Sequence, residues 1–415
     1  MSIKPQTQQQ LSLFSLERTS HRKIPLAIEQ AMKMGAALAI SISGGKDSDA
    51  MLRHLVALHR AEEWKGELFA ITADLGRIEW PGTLEHMQAT CNQINIELVV
   101  VRRQKGSMID RWEERRQTLM KQQDMDAIAP EFSSGLRIQK EGDKPFWSSS
   151  AARYCTKELK TAEVDRYLRR FKSVVCAVGI RAEESSSRAR KPHYQVRNDI
   201  TTVALKASRG LCTREHEAWS EDAIALWKER DYKGRLALTW NAVFDWSIGQ
   251  VWEALGTTQE ELEHRRSLYQ AGSVVEALSG WPAHWAYVSG NSQLSCSLCV
   301  LASSADIQNG ARHNVTTWLE LALMETQSGW SFQQGKWLST LPIVPSERLQ
   351  AAGRLLTALY SLNLFQRWGA LFALTQPLRR RIALLSEVSL LTLVCWAEDI
   401  HIALATAVQQ QHRMS

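Results

Sequence analysis

The residues best suited to chemistry form the run Ser41-Ile42-Ser43-Gly44-Gly45-Lys46-Asp47-Ser48. Its two adjacent glycines let the backbone turn tightly and present N–H groups to an anion. The residues that follow have helical spacing, and the positive end of a helix there faces the same point. Lys46 adds a mobile cation, and the hydroxyls of Ser43 and Ser48 add donors. The run therefore predicts a seat for a pyrophosphate group.

Two better-known phosphate loops have a different spacing. The Walker loop needs four residues between its first glycine and its Gly-Lys pair, and the dinucleotide fingerprint has a third arrangement of glycines. The simplest alternative is a glycine turn that only connects a strand to a helix. The lysine, the aspartate and the two serines at this junction favour a phosphate site over that alternative.

Two further polar segments follow stretches typical of strands. They are Ala73-Asp74-Leu75-Gly76 and the run Gly179-Ile180-Arg181-Ala182-Glu183-Glu184-Ser185, which Arg188 follows. Because open α/β sheets bind ligands at the carboxyl ends of their strands, both segments are candidate nucleotide contacts. Arg181 and Arg188 can clamp phosphate oxygens, and a glutamate beside them can orient an arginine or a metal-bound water. The alternatives are a turn with an aspartate cap and a solvated charged loop.

The seven cysteines of the chain include one C-x-x-C pair, Cys296-Ser297-Leu298-Cys299. Such a pair lets one turn present two thiolates to a metal or an iron–sulfur cluster. A single pair is also typical of a redox disulfide, of a persulfide carrier or of two buried thiols. We place metal binding first among these interpretations. Cys91, Cys176 and Cys395 are expected in the core.

These segments need a scaffold of alternating strands and helices. Four apolar, β-branched stretches are typical of strands covered on both faces: Ala37 to Ser43, Leu68 to Ala73, Ile96 to Val101 and Ser173 to Gly179. Helical spacing lies between them, at Asp49 to Arg60 and from Pro81 towards Asn92. This alternation predicts an α/β fold with a doubly wound, mainly parallel sheet. Beyond Gly210 strand signals fade and helical patterning takes over.

The 415 residues have ordinary globular composition, which excludes a wholly disordered or fibrous chain. We divide them into a tail and lead-in (1–30), a nucleotide domain (31–210), a helical half with the C-x-x-C (211–345) and a helical C-terminal appendage (346–415). The sequence has no apolar run of the ~20 residues that cross a bilayer, and its first residues lack a signal-peptide pattern. We expect no membrane partner and a reducing, cytoplasmic location.

The net charge of +6 permits a nucleic-acid partner without requiring one. Basic residues form three groups, around Arg102 to Arg116, Arg166 to Lys172 and Arg379 to Arg381. A surface that carries several such groups suits a long anionic polymer, although most charge runs are solvated helix faces.

The run Ser43 to Ser48 resembles the PP-loop of the N-type ATP pyrophosphatases, in the superfamily that includes the PAPS reductases. The Asp74 segment resembles the family's Asp-Thr-Gly, with Leu75 as a departure, and the Gly179 run resembles its Gly-Ile-Arg-Ala-Glu-Glu-Ser loop. The resemblance implies that ATP binds with Mg²⁺ and that a substrate oxygen is adenylated with loss of pyrophosphate. PAPS-binding reductases tend to lack the loop lysine, so Lys46 favours ATP cleavage.

The resemblance also implies roles for individual residues. The catalytic ones would be Lys46, Asp47 and Arg181. The residues that bind the nucleotide would be Ser43, Gly44, Gly45, Lys46, Asp47, Ser48, Asp74, Gly76, Gly179, Arg181, Glu183 and Arg188.

A segment around Cys155, Arg153-Tyr154-Cys155-Thr156-Lys157-Glu158-Leu159-Lys160, resembles the family's Arg-x-Cys-Thr-x-x-Leu-Lys segment. In cluster-bearing relatives, this cysteine joins a later C-x-x-C around a [4Fe–4S] cluster. The resemblance therefore implies Cys155, Cys296 and Cys299 as metal ligands, with one iron open to hold the sulfur that is delivered. Cys212 is a fourth candidate without further support.

Among these relatives, the DNA phosphorothioation enzymes (DndC-like proteins and their Ssp-system counterparts) best combine an intact PP-loop, cysteines and a basic surface. They imply sulfur insertion at a DNA phosphate oxygen, a role in phage defence, and a cysteine desulfurase or other sulfur-donor protein as partner. DndC-like proteins carry several closely spaced cysteines, whereas this chain has one C-x-x-C. Near it, Trp285 and Gln293 replace a proline and an arginine of the relatives.

Three alternatives to DNA phosphorothioation remain open. One is a tRNA thiolation enzyme with the same activation chemistry. Another is a PAPS reductase or sulfate-activating enzyme that acts on small sulfonucleotides. The third is a nucleotide-binding accessory protein of a mobile-element defence system, without catalysis of its own.

Overall fold

The computed structural model describes residues 24–121, 145–202, 213–328, 330–334, 336–338, 341 and 343. The predicted appendage at 346–415, Cys212 and Cys395 lie outside these residues. Leu26–Lys33 forms helix α1, with a buried face, so the helical structure begins before the predicted boundary at residue 31. No helix in the described ranges is long and apolar enough to cross a membrane.

Six strands within the described residues form one sheet, in the order β3-β2-β1-β4-β6-β5. They are β1 (Ala37–Ser41), β2 (Leu68–Asp74), β3 (Glu97–Arg102), β4 (Ser173–Val178), β5 (Tyr194–Val196) and β6 (Leu236–Trp240). Neighbours are parallel except β5, which runs antiparallel to β6. The predicted α/β fold and the four predicted strands are confirmed.

The central strand β1 is buried on both faces. Ile40 lies opposite Ala70 of β2 and Ala177 of β4. Alternate side chains of a strand point to opposite faces. Accordingly, Leu38 and Ile40 belong to one core cluster and Ala39 belongs to the other. With both faces covered, a ligand would meet this strand at its carboxyl end, as in other open α/β sheets.

Helices account for much of the rest of the described residues. After α1, they are α2 (Lys46–Ala61), α3 (Thr83–Gln93), α4 (Met108–Lys121), α5 (Ala162–Leu168), α6 (Ser186–Ala189), α7 (Thr213–Glu229), α8 (Ile248–Leu255), α9 (Gln259–Gln270), α10 (Val274–Leu278), α11 (Ser304–His313) and α12 (Val315–Ser328). A π-helical segment, Cys155–Thr161, leads into α5, and 3₁₀ turns form at Ala182–Glu184 and Trp285–Tyr287.

The strand order places the candidate loops together. From β1 the chain proceeds to β2 and β3 on one side, and β4 then pairs on the other side of β1. In doubly wound sheets, ligands bind where the order reverses in this way, outside the carboxyl ends of the strands. The loop after β1 and the loop after β4 both lie at this switch point.

Strand β6 corrects the expectation that strand signals fade after residue 210. Strand β6 has five residues, and its partners are β4 on one side and β5 on the other. Four of its residues are buried, although the polar run before it conceals the strand in the sequence. The region predicted as a helical half therefore contributes a strand to the same sheet.

The chain divides into two compact units that do not follow the predicted boundaries. The first comprises residues 1–75, 82–103 and 156–295, and it contains the sheet. The second comprises residues 76–81, 104–155 and 296–415. Residues from both sides of the predicted boundary at 210 belong to the first unit.

In the second unit, the C-x-x-C loop is fixed by Ser297. Its N–H and its Oγ both donate to the carbonyl oxygen of Ile78, at 2.9 and 2.8 Å. The Nδ2 of Asn314 donates to the Ser297 Oγ at 3.0 Å. Helix α11 approaches this loop at Gly310, where an added Cβ would lie 1.7 Å from the carbonyl oxygen of Ser297. The loop can keep its position only if residue 310 has no side chain.

Gly310→Ala is expected to destabilise the protein by about 1–3 kcal/mol, because the methyl group overlaps a backbone oxygen that hydrogen bonds hold in place. Urea unfolding measures the change. The matched control is Gly249→Ala in α8, where the nearest atom to an added Cβ, the Ser247 Oγ, is 3.8 Å away. Alanine also favours a helix over glycine by about 1 kcal/mol, so the control is expected to be neutral or stabilising. Equal midpoints for the two variants would contradict the packing argument.

Candidate active site

The glycine loop after β1 is closed by one serine. The Oγ of Ser48 accepts the N–H of Ser43 at 3.2 Å and donates to the carbonyl oxygen of Gly45 at 2.8 Å. Ser48 lies in the first turn of α2, so its hydroxyl ties the start of the helix back to the end of the strand. Two of the predicted phosphate ligands thus hold the shape of the loop.

The two glycines of the loop lie against other elements, and the backbone requires glycine at Gly44. Gly44 has φ of +72°, in the left-handed region that favours glycine. A Cβ there would also lie 3.2 Å from the Cγ2 of Thr83. At Gly45, a Cβ would lie 3.4 Å from the hydroxyl oxygen of Tyr287. The loop is therefore closely packed against α3 and the 3₁₀ turn that ends at Tyr287.

A carboxylate shared by two cations forms the centre of the site. One oxygen of Asp47 lies 3.2 Å from Lys46 Nζ, and the other lies 2.5 Å from Arg181 Nε. Lys46 is 6% exposed and Arg181 is 4% exposed. Ion pairs removed from solvent in this way are screened much less than surface pairs. The structure thus brings together the three residues that the resemblance gives as catalytic.

Arg181 has further partners that fix its guanidinium group. Its Nη1 donates to Glu183 at 2.6 Å and to the carbonyl oxygen of Trp246 at 3.2 Å. Burial lowers the pKa of Arg181, but the charge and hydrogen bond of Asp47, the hydrogen bond to Glu183 and the charge of Glu184 outweigh burial, and the pKa is raised. Arg181 therefore stays a cation whose direction is set by two carboxylates. A phosphate bound by Arg181 would have to share the guanidinium group with Asp47 and Glu183.

The rest of the loop after β4 is held by its own charges. Glu184 accepts the backbone N–H of Arg181 at 3.0 Å and pairs with Arg188. At the start of the loop, a Cβ on Gly179 would lie 3.2 Å from the backbone N and Cα of Ser48. Gly179 therefore lets this loop pass against the first turn of α2. Arg188, predicted as a phosphate ligand, is directed to Glu184.

The segment after β2 divides between the two units. Asp74 ends β2 in the first unit, and its carboxylate accepts from Arg102 Nε at 2.7 Å. Gly76 lies in the second unit with φ of +77°, and its Cβ would be 2.7 Å from the Cβ of Ser107. The positive φ and the contact with Ser107 therefore both explain why residue 76 is glycine.

Sequence reasoning missed a buried pair behind the loop. Asp49 is 1% exposed in the first turn of α2, and its carboxylate lies 2.7 Å from His86 Nε2 on α3. An Asp on the face that Met51 and Leu52 bury was the available signal, because a carboxylate on such a face needs a partner. The pair links the helix of the phosphate loop to α3.

Sequence reasoning also missed the role of His284. Its Nδ1 accepts the N–H of Ala286, so its Nε2 carries the hydrogen and donates to the Thr83 Oγ1 at 3.2 Å. Burial, with a smaller contribution from His86, lowers the pKa of His284 to about 3. The ring is therefore neutral and caps the 3₁₀ turn that carries Tyr287.

The predicted metal ligands Cys155, Cys296 and Cys299 belong to the second unit and are half-buried. No group of three or more His, Cys, Asp or Glu side chains in the described ranges is arranged to hold a metal ion. The residues as placed do not fit a [4Fe–4S] cluster, which stays a prediction from the resemblance. Cys91 and Cys176 are in the core as expected, and burial raises the pKa of Cys91 to about 11.

Comparison with known proteins agrees with this geometry. A search of curated proteins finds no match to the chain. The phosphoadenosine phosphosulfate reductase domain matches residues 37–289, which include β1 to β6, the glycine loop and the loop after β4. That range is more than half of the chain, and its sheet has the expected mainly parallel order. The chain therefore belongs to the phosphoadenosine phosphosulfate reductase domain family.

Proposed function

We propose that this protein is an ATP pyrophosphatase: it cleaves ATP to AMP and pyrophosphate and adenylates a substrate oxygen, which sulfur then replaces. The observation that carries the proposal is the carboxylate of Asp47, shared between Lys46 and Arg181 on a glycine loop at the switch point of the sheet. The acceptor that we favour is a non-bridging phosphate oxygen of the DNA backbone.

The charges at the loop support a reaction that releases an anion. Two cations, Lys46 and Arg181, are balanced by Asp47 and Glu183 before any nucleotide arrives. A triphosphate adds several negative charges, so it needs a compensating cation. Mg²⁺ prefers carboxylate and phosphate oxygens, and Asp47 is the carboxylate placed to hold it. Bound Mg²⁺ would free Lys46 and Arg181 to stabilise the leaving pyrophosphate.

The thiols of the first unit favour nucleotide activation over reduction there. Cys91 and Cys176, the two cysteines among its described residues, are in the core. Burial raises the pKa of both thiols, and the charge of Asp49 adds to the effect at Cys91. A nucleophilic sulfur must be an accessible thiolate. The sulfur would therefore come from elsewhere, for which we propose a cysteine desulfurase or another sulfur-donor protein.

An exposed group of basic residues supports a nucleic-acid acceptor. Arg169, Arg170 and Lys172 are exposed in the first unit, and Arg170 stacks 4.8 Å from the ring of Tyr167. The group around α4 is less available, because Arg102, Arg111 and Arg116 are paired with carboxylates. Because the cluster of Arg169, Arg170 and Lys172 precedes β4, at the end of the sheet opposite the glycine loop, we propose that it holds DNA that flanks the reacting phosphate.

A second candidate is the reduction of a small sulfonucleotide. The family match, which is to a phosphoadenosine phosphosulfate reductase domain, favours it. It differs from the first candidate in needing neither pyrophosphate release nor a nucleic acid.

Lys46→Ala is expected to lower the rate of pyrophosphate release from ATP by about 100-fold, because a buried cation beside the leaving group is lost. Release is measured with purified protein, ATP and Mg²⁺ in the presence of DNA. The matched control is Lys33→Ala, which removes an exposed lysine that pairs with Glu29. A Lys46→Ala protein as fast as wild type would show that the loop does not serve this reaction. If the wild-type protein releases no pyrophosphate with either DNA or tRNA, the reduction of a small sulfonucleotide becomes the favoured function.

Asp47→Asn is expected to have opposite effects with and without Mg²⁺. Without the metal, it tightens ATP binding by about tenfold, because a carboxylate no longer competes with phosphate for Lys46 and Arg181. With Mg²⁺, it slows pyrophosphate release, because the metal ligand is lost. Calorimetry with ATP and EDTA tests the first effect. Glu183→Gln, which removes a negative charge beside Arg181 but not beside Lys46, gives the smaller tightening for comparison. Weaker metal-free binding by Asp47→Asn would contradict the competition.

The triple variant Arg169→Ala, Arg170→Ala and Lys172→Ala is expected to weaken DNA binding. The slope of log affinity against log salt concentration is expected to decrease in magnitude by about 2 to 3, because up to three phosphate contacts are lost. Anisotropy of a labelled duplex at several salt concentrations measures the slope. The matched triple of Lys228, Arg230 and Lys233 to Ala removes equal charge from another exposed part of the first unit. Equal slopes for the two triples would exclude the assigned cluster.

A further inference from the structure

Tyr287 is a buried side chain that is fixed from several directions. It is 1% exposed and ends the 3₁₀ turn that His284 caps. Its ring packs edge-to-face on Trp252, with 5.5 Å between the ring centroids. Its carbonyl oxygen accepts from Arg266 Nε at 2.9 Å. The position of the hydroxyl group is therefore determined by the surrounding structure.

That hydroxyl contacts the phosphate loop directly. It accepts the backbone N–H of Lys46 at 3.0 Å. Lys46 is the first residue of α2, so this N–H is one of the donors that a helix has available for an anion. The ammonium group of the same lysine lies 5.3 Å from the centroid of the tyrosine ring. One side chain therefore contacts both the backbone and the side chain of the loop lysine.

The hydroxyl has one hydrogen of its own to donate. No acceptor for that hydrogen is present among the residues that the structure describes. Burial raises the pKa of Tyr287 far above its usual value, and the charges of Asp47 and Asp49 add to this, whereas hydrogen bonds from the backbone amides of Lys46 and Leu294 to the phenol oxygen oppose it. The phenol therefore keeps its hydrogen at physiological pH. A buried donor without an acceptor costs free energy until an acceptor arrives.

We propose that Tyr287 is a substrate-binding residue whose hydroxyl donates a hydrogen bond to a phosphate oxygen of the nucleotide on the glycine loop. The hydroxyl accepts a hydrogen bond from the first amide of α2, and this bond polarises the hydroxyl. The hydrogen bond that the hydroxyl donates to the anion is therefore strengthened. The inference rests on the proposed function only in that the loop binds a pyrophosphate group. It does not depend on the acceptor or on turnover.

The experiment measures the binding of inorganic pyrophosphate and of AMP to the full chain by calorimetry. Tyr287→Phe keeps the ring and removes the hydroxyl. It is expected to weaken pyrophosphate binding by about tenfold, the value of one hydrogen bond to a charged group. AMP, which lacks the pyrophosphate, is expected to bind Tyr287→Phe as it binds wild type. The matched control is Tyr167→Phe, whose ring packs on Phe69 and Phe171 in the other core cluster.

A purely structural tyrosine would give a different result. If Tyr287→Phe weakens pyrophosphate and AMP equally, or leaves pyrophosphate unaffected, the proposed hydrogen bond is overturned. If wild type itself does not bind pyrophosphate, the proposed function fails first, and with it the basis of this inference. Should the Phe variant not fold, 4-aminophenylalanine in place of Tyr287 keeps the ring and supplies an N–H donor. That protein is expected to bind pyrophosphate within about threefold of wild type, and a full tenfold loss would overturn the donor role.

Discussion

The carboxylate of Asp47 joins the parts of the chain on which the site depends. Its two oxygens are taken by Lys46 and by Arg181, which come from the loops after β1 and β4. Both cations are buried and the side chain of Asp47 is 15% exposed, so removing Asp47 would leave two buried cations without this partner, which is expensive inside a protein. The strand order makes this meeting possible, because it places both loops at the point where the sheet reverses direction.

Strands β1 to β4 and the glycine loop could be predicted, because short stretches of sequence determine them. Strands β1 to β4 are apolar runs that only a doubly covered sheet would bury, and the glycine loop combines a turn with polar groups at a strand end. Strand β6 was missed because it is short and follows a polar run. A strand of that kind is defined by its neighbours β4 and β5, and pairing across such distances leaves no local pattern.

The partners of the site residues could not be predicted for a related reason. The sequence predicts that Arg181 contacts a phosphate, but its partner Asp47 depends on how the loops after β1 and β4 meet. Asp49 and His284 are polar groups inside the core, and only the fold supplies His86 and Thr83 as their partners. The cysteines show the same limit, since a C-x-x-C gives the spacing of two thiols and not the distance to a third.

The contact between Lys46 and Tyr287 joins residues 241 positions apart in the chain. During synthesis, the strand, the glycine loop and the first helix leave the ribosome long before the tyrosine that meets the loop amide. Strand β6, which completes the sheet beside β4, also comes late. A nascent chain that ends near residue 210 thus carries the recognisable phosphate motif without the groups that finish it. The order of translation keeps the candidate site incomplete until most of the family domain has been made.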